Sequence, residues 1–80
     1  MEEKLFIEYL AKQIVDDPAQ VAVNVVEGER NTVLELTVGE NDVGKIIGRR
    51  GRIAHAIRTL LSATATKTGR RVVLEIIDKK

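Results

Sequence analysis

The chain has no cysteine and no tryptophan, a single proline, a single histidine, and one residue each of phenylalanine and tyrosine. Without cysteine there is no disulfide, no thiolate zinc site and no thiol nucleophile. This fits a reducing compartment, and a cytoplasmic protein is expected. His55 and Ser62 are the sole members of their types, so neither a Ser–His nucleophilic pair nor a His-rich metal site is expected. Phe6 and Tyr9 both fall in the first ten residues, which leaves no aromatic platform on which bases would stack. No apolar run approaches the roughly 18 residues of a membrane span. Residues 1–15 carry Glu2, Glu3 and Glu8 and lack the apolar core of a signal peptide. At 80 residues the chain suits one domain, residues 1–80, with a small core and no room for a deep catalytic cavity.

What the sequence does have is charge, distributed unevenly. The total is only +1. Residues 1–42 set ten acids against three bases, a net −7. Residues 43–74 hold eight bases (Lys45, Arg49, Arg50, Arg52, Arg58, Lys67, Arg70 and Arg71) and no acid. A folded domain with this split has a basic side that attracts polyanions, of which nucleic acid is the commonest. A solvated surface with accidental clustering is the blander alternative.

Hydrophobic periodicity places the elements. Leu5, Phe6, Tyr9, Leu10 and Ile14 recur at three- and four-residue spacing and predict an amphipathic helix over 3–16, ended by Pro18. Tyr9 is read as a packing residue between helix and sheet. Residues 20–26 switch to period two and predict a strand, with Val21, Val23 and Val25 on one face. Glu27 to Asn31 reads as a hairpin loop, with Gly28 and Asn31 available for positive φ. Residues 32–38 return as a strand burying Leu34, Leu36 and Val38. A short helix over 42–47 follows, capped by Asn41 or Asp42. A long one from Arg52 to Lys67 shows an apolar line of Ile53, Ile57, Leu60, Leu61 and Thr64. Gly69 sits at its expected C-terminal cap. Residues 71–77 are a last strand, apolar on both faces and so expected to be central or partly covered. The hairpin is antiparallel, and a crossover through two helices makes the last strand parallel to the second. The expected class is α+β: a three-stranded mixed sheet with three helices on one face.

The informative stretch runs from Gly44 to Ile53. A four-residue turn joins two helices, with Gly48 and Gly51 at its ends and Arg49 and Arg50 between. Glycines allow a sharp turn and close approach of a ligand. The N–H groups opening the next helix favour an anion. Arginine forks match phosphates. Gly44, unfavourable inside a helix, reads as a site of close packing or ligand approach. A Walker A loop is missing, and a dinucleotide fingerprint would need glycine at Ile46. Both of those loops also join strand to helix. No acid lies in the glycine segment to hold Mg²⁺ or act as a base, so no enzyme, cofactor or metal is expected. The long helix shows small uncharged residues where a duplex DNA reader would carry Arg, Asn or Gln.

Ile46-Ile47-Gly48-Arg49-Arg50-Gly51-Arg52-Ile53 resembles the IIGxxGxxI signature of KH domains. The order helix-strand-strand-helix-helix-strand resembles their type II arrangement, over roughly residues 3–78. Size and the acidic first helix are similar to the small bacterial single-KH RNA-binding proteins of the KhpA type. This resemblance implies a groove for about four nucleotides of single-stranded RNA, clamped at the backbone by Gly48 to Gly51. Arg49 and Arg50 would contact phosphates, flanked by Lys45 and Arg52. Bases would lie on an aliphatic floor drawn from Ile46, Ile47, Ile53 and the second strand's Val33 to Thr37. Arg70 and Arg71 would bracket the far edge; Arg58 and His55 read as mainly solvated. An RNA chaperone or post-transcriptional regulator is the implied role. A protein-interaction scaffold with little RNA role is the alternative.

One helix face is unusually bland. Thr59, Ser62, Ala63 and Thr66 carry no charge, although surface helices normally show Glu and Lys. Small uncharged residues admit a second helix, so a homodimer face is expected there. The resemblance also implies pairing with a larger KH-containing protein of the KhpB/Jag type.

Overall fold

The computed structural model describes residues 2–77. Helix α1 spans Glu2–Ile14, strands β1 and β2 span Ala22–Glu27 and Asn31–Thr37, helices α2 and α3 span Val43–Ile47 and Arg52–Thr68, and strand β3 spans Arg71–Ile77. Short 3-10 turns occupy Pro18–Gln20, Glu40–Asp42 and Arg49–Gly51. The sheet order is β1-β2-β3. β1 pairs antiparallel to β2, with Val25 opposite Leu34 and Val23 opposite Leu36. β2 pairs parallel to β3, with Leu34 beside Leu74 and Leu36 beside Ile76. This is the α+β architecture expected from the sequence.

The core lies between one sheet face and the helices. Val23, Leu34, Leu36, Val72 and Leu74 point into it from the sheet, and Ile7, Ala11, Ile46, Ile57 and Leu61 from the helices. Burying one such aliphatic side chain contributes about 1.5–3 kcal/mol. The opposite face, with Asn24, Glu35 and Glu75 in one row, carries no helix.

Several expectations need correction. The buried stripe of α1 is Glu3, Ile7 and Ala11, rotated from the predicted one. Leu5 and Tyr9 are 64% and 65% exposed, so Tyr9 does not pack on the sheet. The long helix buries Ala54, Ile57 and Leu61 and leaves Leu60 half exposed. Helix periodicity tolerates either line; contact with the sheet selects one. β3 is an edge strand and β2 the central one, because the crossover returns the chain beside β2, opposite β1. β1 begins at Ala22, after the 3-10 turn at Pro18–Gln20. The hairpin turn uses no positive φ at Gly28 or Asn31. Gly28 instead allows close approach: a Cβ there would meet the Asn31 carbonyl at 3.1 Å. Neither Asn41 nor Asp42 caps α2 with its side chain.

Candidate functional site

The turn between α2 and α3 is built from backbone that few residues adopt. Gly48 has φ 78° and ψ 173°, a region essentially restricted to glycine. Its missing Cβ would also lie 2.6 Å from Ile53 Cγ1, so Ile53 packs under the turn. Arg50 (φ 58°) and Gly51 (φ 73°) are left-handed. The turn is closed by Gly48 N–H donating to the Gly44 carbonyl at 2.9 Å and Gly51 N–H to the Gly48 carbonyl at 3.1 Å. Gly44 itself packs against nothing, since a Cβ there meets no atom within 4 Å.

On this frame Arg49, Arg50 and Arg52 are exposed, and none is within ion-pair distance of a described carboxylate. Lys45 is different. Its ammonium hydrogen-bonds to the Asp16 carboxylate and lies 3.7 Å from Asp42 Oδ1. The Asp16 hydrogen bond, aided by the charges of Asp16 and Asp42, raises the Lys45 pKa above its ordinary 10.5. Asp42 is only 3% exposed and accepts the main-chain N–H groups of Asp16 at 3.3 Å and Asp17 at 3.1 Å. It thereby ties the segment after α1 to the start of α2, a role no capping rule suggested. The three isoleucines divide. Ile46 is fully buried, Ile47 is 40% exposed, and Ile53 is half-buried beneath Gly48.

A groove of about 270 Å³ opens between α3 and the edge strand. Arg58, Ser62 and Ala65 line one wall, and Arg71, Val72, Val73 and Leu74 the other. Arg58 Nε donates to the Leu74 carbonyl at 3.4 Å. Because only Gly69 and Arg70 separate α3 from β3, the two run antiparallel. The glycine turn therefore lies beyond the Arg58 end of the groove, and Arg71 at the other end. At 1.5 Å per helical residue, Arg52 and Ala65 are about 20 Å apart. Arg70 is turned toward α1, with Nη2 3.8 Å from Glu3 Oε1.

The floor expected from Val33 to Thr37 is not here. β2 is central: Leu34 and Leu36 are fully buried, and Val33, Glu35 and Thr37 alternate onto the face without helices. The edge strand takes their place. Val72 to Leu74 lie outside the predicted set, and Arg58, read as mainly solvated, is exposed on the groove wall. Treating α3 and β3 as antiparallel neighbours across a two-residue connection would have found both. Of the bland α3 face, Thr59, Ala63 and Thr66 are exposed, whereas Ser62 also lines the groove. His55 is exposed.

Comparison with known proteins follows this geometry closely. The family model for the KhpA/KhpB KH domain matches residues 4–76. A protein of Borreliella burgdorferi named RNA-binding protein KhpA is 64% identical over 72 residues, covering 90% of this chain and 88% of that one. Its namesake in Treponema pallidum is 53% identical over 78 residues, covering 98% and 96%. One in Clostridium acetobutylicum is 51% identical over 74 residues, covering 92% and 99%. Among solved structures, Aquifex aeolicus Era bound to GDP·AlF4⁻ superposes with a TM-score of 0.59 at 22% identity, over 94% of this chain and 29% of Era. Era in complex with MgGDPNP and nucleotides 1506–1542 of 16S ribosomal RNA gives the same TM-score and identity, over 92% and 28%. These structural matches carry the fold. With the glycine turn, the element order and the sequence matches taken together, the chain belongs to the KhpA/KhpB family of KH domains.

Proposed function

We propose that the protein binds single-stranded RNA as a single, non-catalytic KH module, with the Gly48–Gly51 turn holding the backbone and the α3–β3 groove receiving bases. The carrying observation is the glycine-restricted turn that presents Arg49, Arg50 and Arg52 with no described carboxylate in ion-pair range, at one end of a groove with Arg71 at its other end. Exposed Ile47 and the half-buried Ile53 supply aliphatic surface by the turn, with Ile46 supporting them from the core. Gly48 and Gly51 let phosphates approach main-chain N–H groups at the start of α3. Lys45 and Arg70 sit beside the path but are partly spent on Asp16 and Glu3. The names of the family relatives support this reading, and an RNA chaperone or post-transcriptional regulatory role is proposed with it. Titration of labelled single-stranded RNA across salt concentrations tests it. Two to four neutralised phosphates give a slope of log K against log salt of roughly −1.5 to −3. A slope near zero would favour the scaffold reading instead.

Self-association is the second part of the proposal. The Thr59, Ser62 and Thr66 hydroxyls donate to the carbonyls of His55, Arg58 and Ser62, at 3.0, 3.1 and 3.3 Å. Their donors are therefore satisfied within the helix, and Ala63 and half-exposed Leu60 lie on the same helix. Such a face admits a second α3 at low desolvation cost, from another copy or from a larger KH protein of the KhpB/Jag type. Two grooves raise the effective concentration on one RNA. Sedimentation equilibrium of the wild type and of Ala63→Lys tests this. A wild type that stays at 8.9 kDa up to near-millimolar protein excludes the homodimer.

A further inference from the structure

A second concavity lies at the end of α3 away from the glycine turn. It has a volume of about 240 Å³ and is lined by Glu2, Glu3 and Phe6 of α1 and by Thr64, Lys67 and Thr68 of α3. Glu3 is 5% exposed, deeper than a surface glutamate normally lies. Its Oε1 faces Arg70. Its Oε2 is buried and receives no hydrogen bond from any described residue. A buried acceptor without a donor is unfavourable, and among the described residues the carboxylate is only half satisfied.

The surroundings indicate what would complete it. α3 ends here, and its last carbonyls carry the negative end of the helix dipole, which favours a cation. The Thr64 and Thr68 hydroxyls already donate to the Leu61 and Thr64 carbonyls, at 2.7 and 3.1 Å; what they have left to offer is lone pairs. Phe6 adds an apolar wall against which an aliphatic stem would lie. Lys67 opposes a cation, yet it is exposed and within ion-pair distance of no described carboxylate. A metal ion is a poorer fit, because no three His, Asp or Glu side chains cluster among the described residues.

We propose that this cavity binds an organic cation, an alkylammonium or guanidinium group whose N–H donors satisfy Glu3 Oε2. The group would come either from a free diamine or from a Lys or Arg side chain of another protein; the recognising chemistry is the same. The inference does not depend on the RNA reading; the two share only the Glu3–Arg70 pair, through Glu3 Oε1.

NMR titration of the full chain tests it, using putrescine, agmatine and the peptide acetyl-Gly-Arg-Gly-amide as probes. The Glu3 carboxyl carbon and the α3 amides from Thr64 to Thr68 shift saturably with at least one probe. Saturation by an amine alone assigns a free ligand; saturation by the peptide alone assigns a protein side chain. Glu3→Gln, with circular dichroism as the folding control, weakens binding about tenfold. Lys67→Met, an exposed change independent of that control, tightens it about threefold by removing the opposing charge. No saturable shift below about 50 mM of any probe overturns the proposal and leaves water as the occupant. Equal binding by folded Glu3→Gln, or unchanged or weaker binding by Lys67→Met, overturns it as well.

Discussion

The basic residues of the second half fall into two environments. Lys45 and Arg70 lie on the seam with the acidic first half, where Asp16, Asp42 and Glu3 meet them. Arg49, Arg50 and Arg52 stand on the glycine turn and meet no described acid. The same +8 segment thus spends some of its charge on assembling the domain and leaves the rest unmet by any described acid. The difference is one of position. The seam cations face α1 and the segment after it; the turn projects beyond both. Net charge by region says that a basic side exists, but not which cations are free.

The largest expected effect breaks the ligand half of this division. Arg49→Asp with Arg50→Asp should weaken RNA binding about 100-fold or more and leave the circular dichroism and melting temperature near wild type. Binding within about threefold of wild type would move the site away from the turn. Next is the frame. Gly48→Ala puts a Cβ 2.6 Å from Ile53 Cγ1 at φ 78° and should cost about 2–4 kcal/mol in urea unfolding. Gly44→Ala, with open space around it, should be neutral or stabilising by about 1 kcal/mol. An equal loss at both positions would mean that the close approach at Gly48 is unimportant.

On the seam side, Asp42→Ala strands the Asp16 and Asp17 N–H groups and should cost about 1–3 kcal/mol of stability. Its effect on RNA affinity should be smaller than that of any turn arginine. The smallest effect belongs to Lys45. Lys45→Met should change RNA affinity by no more than about threefold, because an exposed, already paired lysine has little left to give a phosphate. Its pKa is raised in the fold by the Asp16 hydrogen bond. Its contribution to stability is therefore whole below about 10.5 and lost as pH rises through the higher folded value. Denaturant midpoints of wild type and Lys45→Met should differ by a constant amount from about pH 6 to 9 and converge only in alkali, above the ordinary lysine value of 10.5. A difference that already closes by about pH 9 would contradict the pairing.

The glycine turn was legible because its constraints are local. Gly48 and Gly51 announce backbone that other residues rarely adopt, and the flanking isoleucines mark helix on either side. The groove was less legible. Ile46, Ile47 and Ile53 look alike in sequence, yet one is core, one is exposed and one lies beneath a glycine. Alternation does not reveal which strand borders a helix, so it points to Val33–Thr37 where the structure has Val72–Leu74 lining the groove.

The sequence by itself determined the number, kind and order of the elements, the parallel crossover, the glycine turn and the concentration of cations around it. Each follows from periodicity, backbone freedom or charge within a short window. Only the tertiary structure decided that β2 is central and β3 the edge, that α1 buries Glu3, Ile7 and Ala11 while Leu5 and Tyr9 face solvent, and that Asp16 and Glu3 claim Lys45 and Arg70. These pairings depend on which surfaces meet across 29 to 67 residues of chain. A window shorter than that separation holds one partner of each pair, and burial and pairing are properties of both.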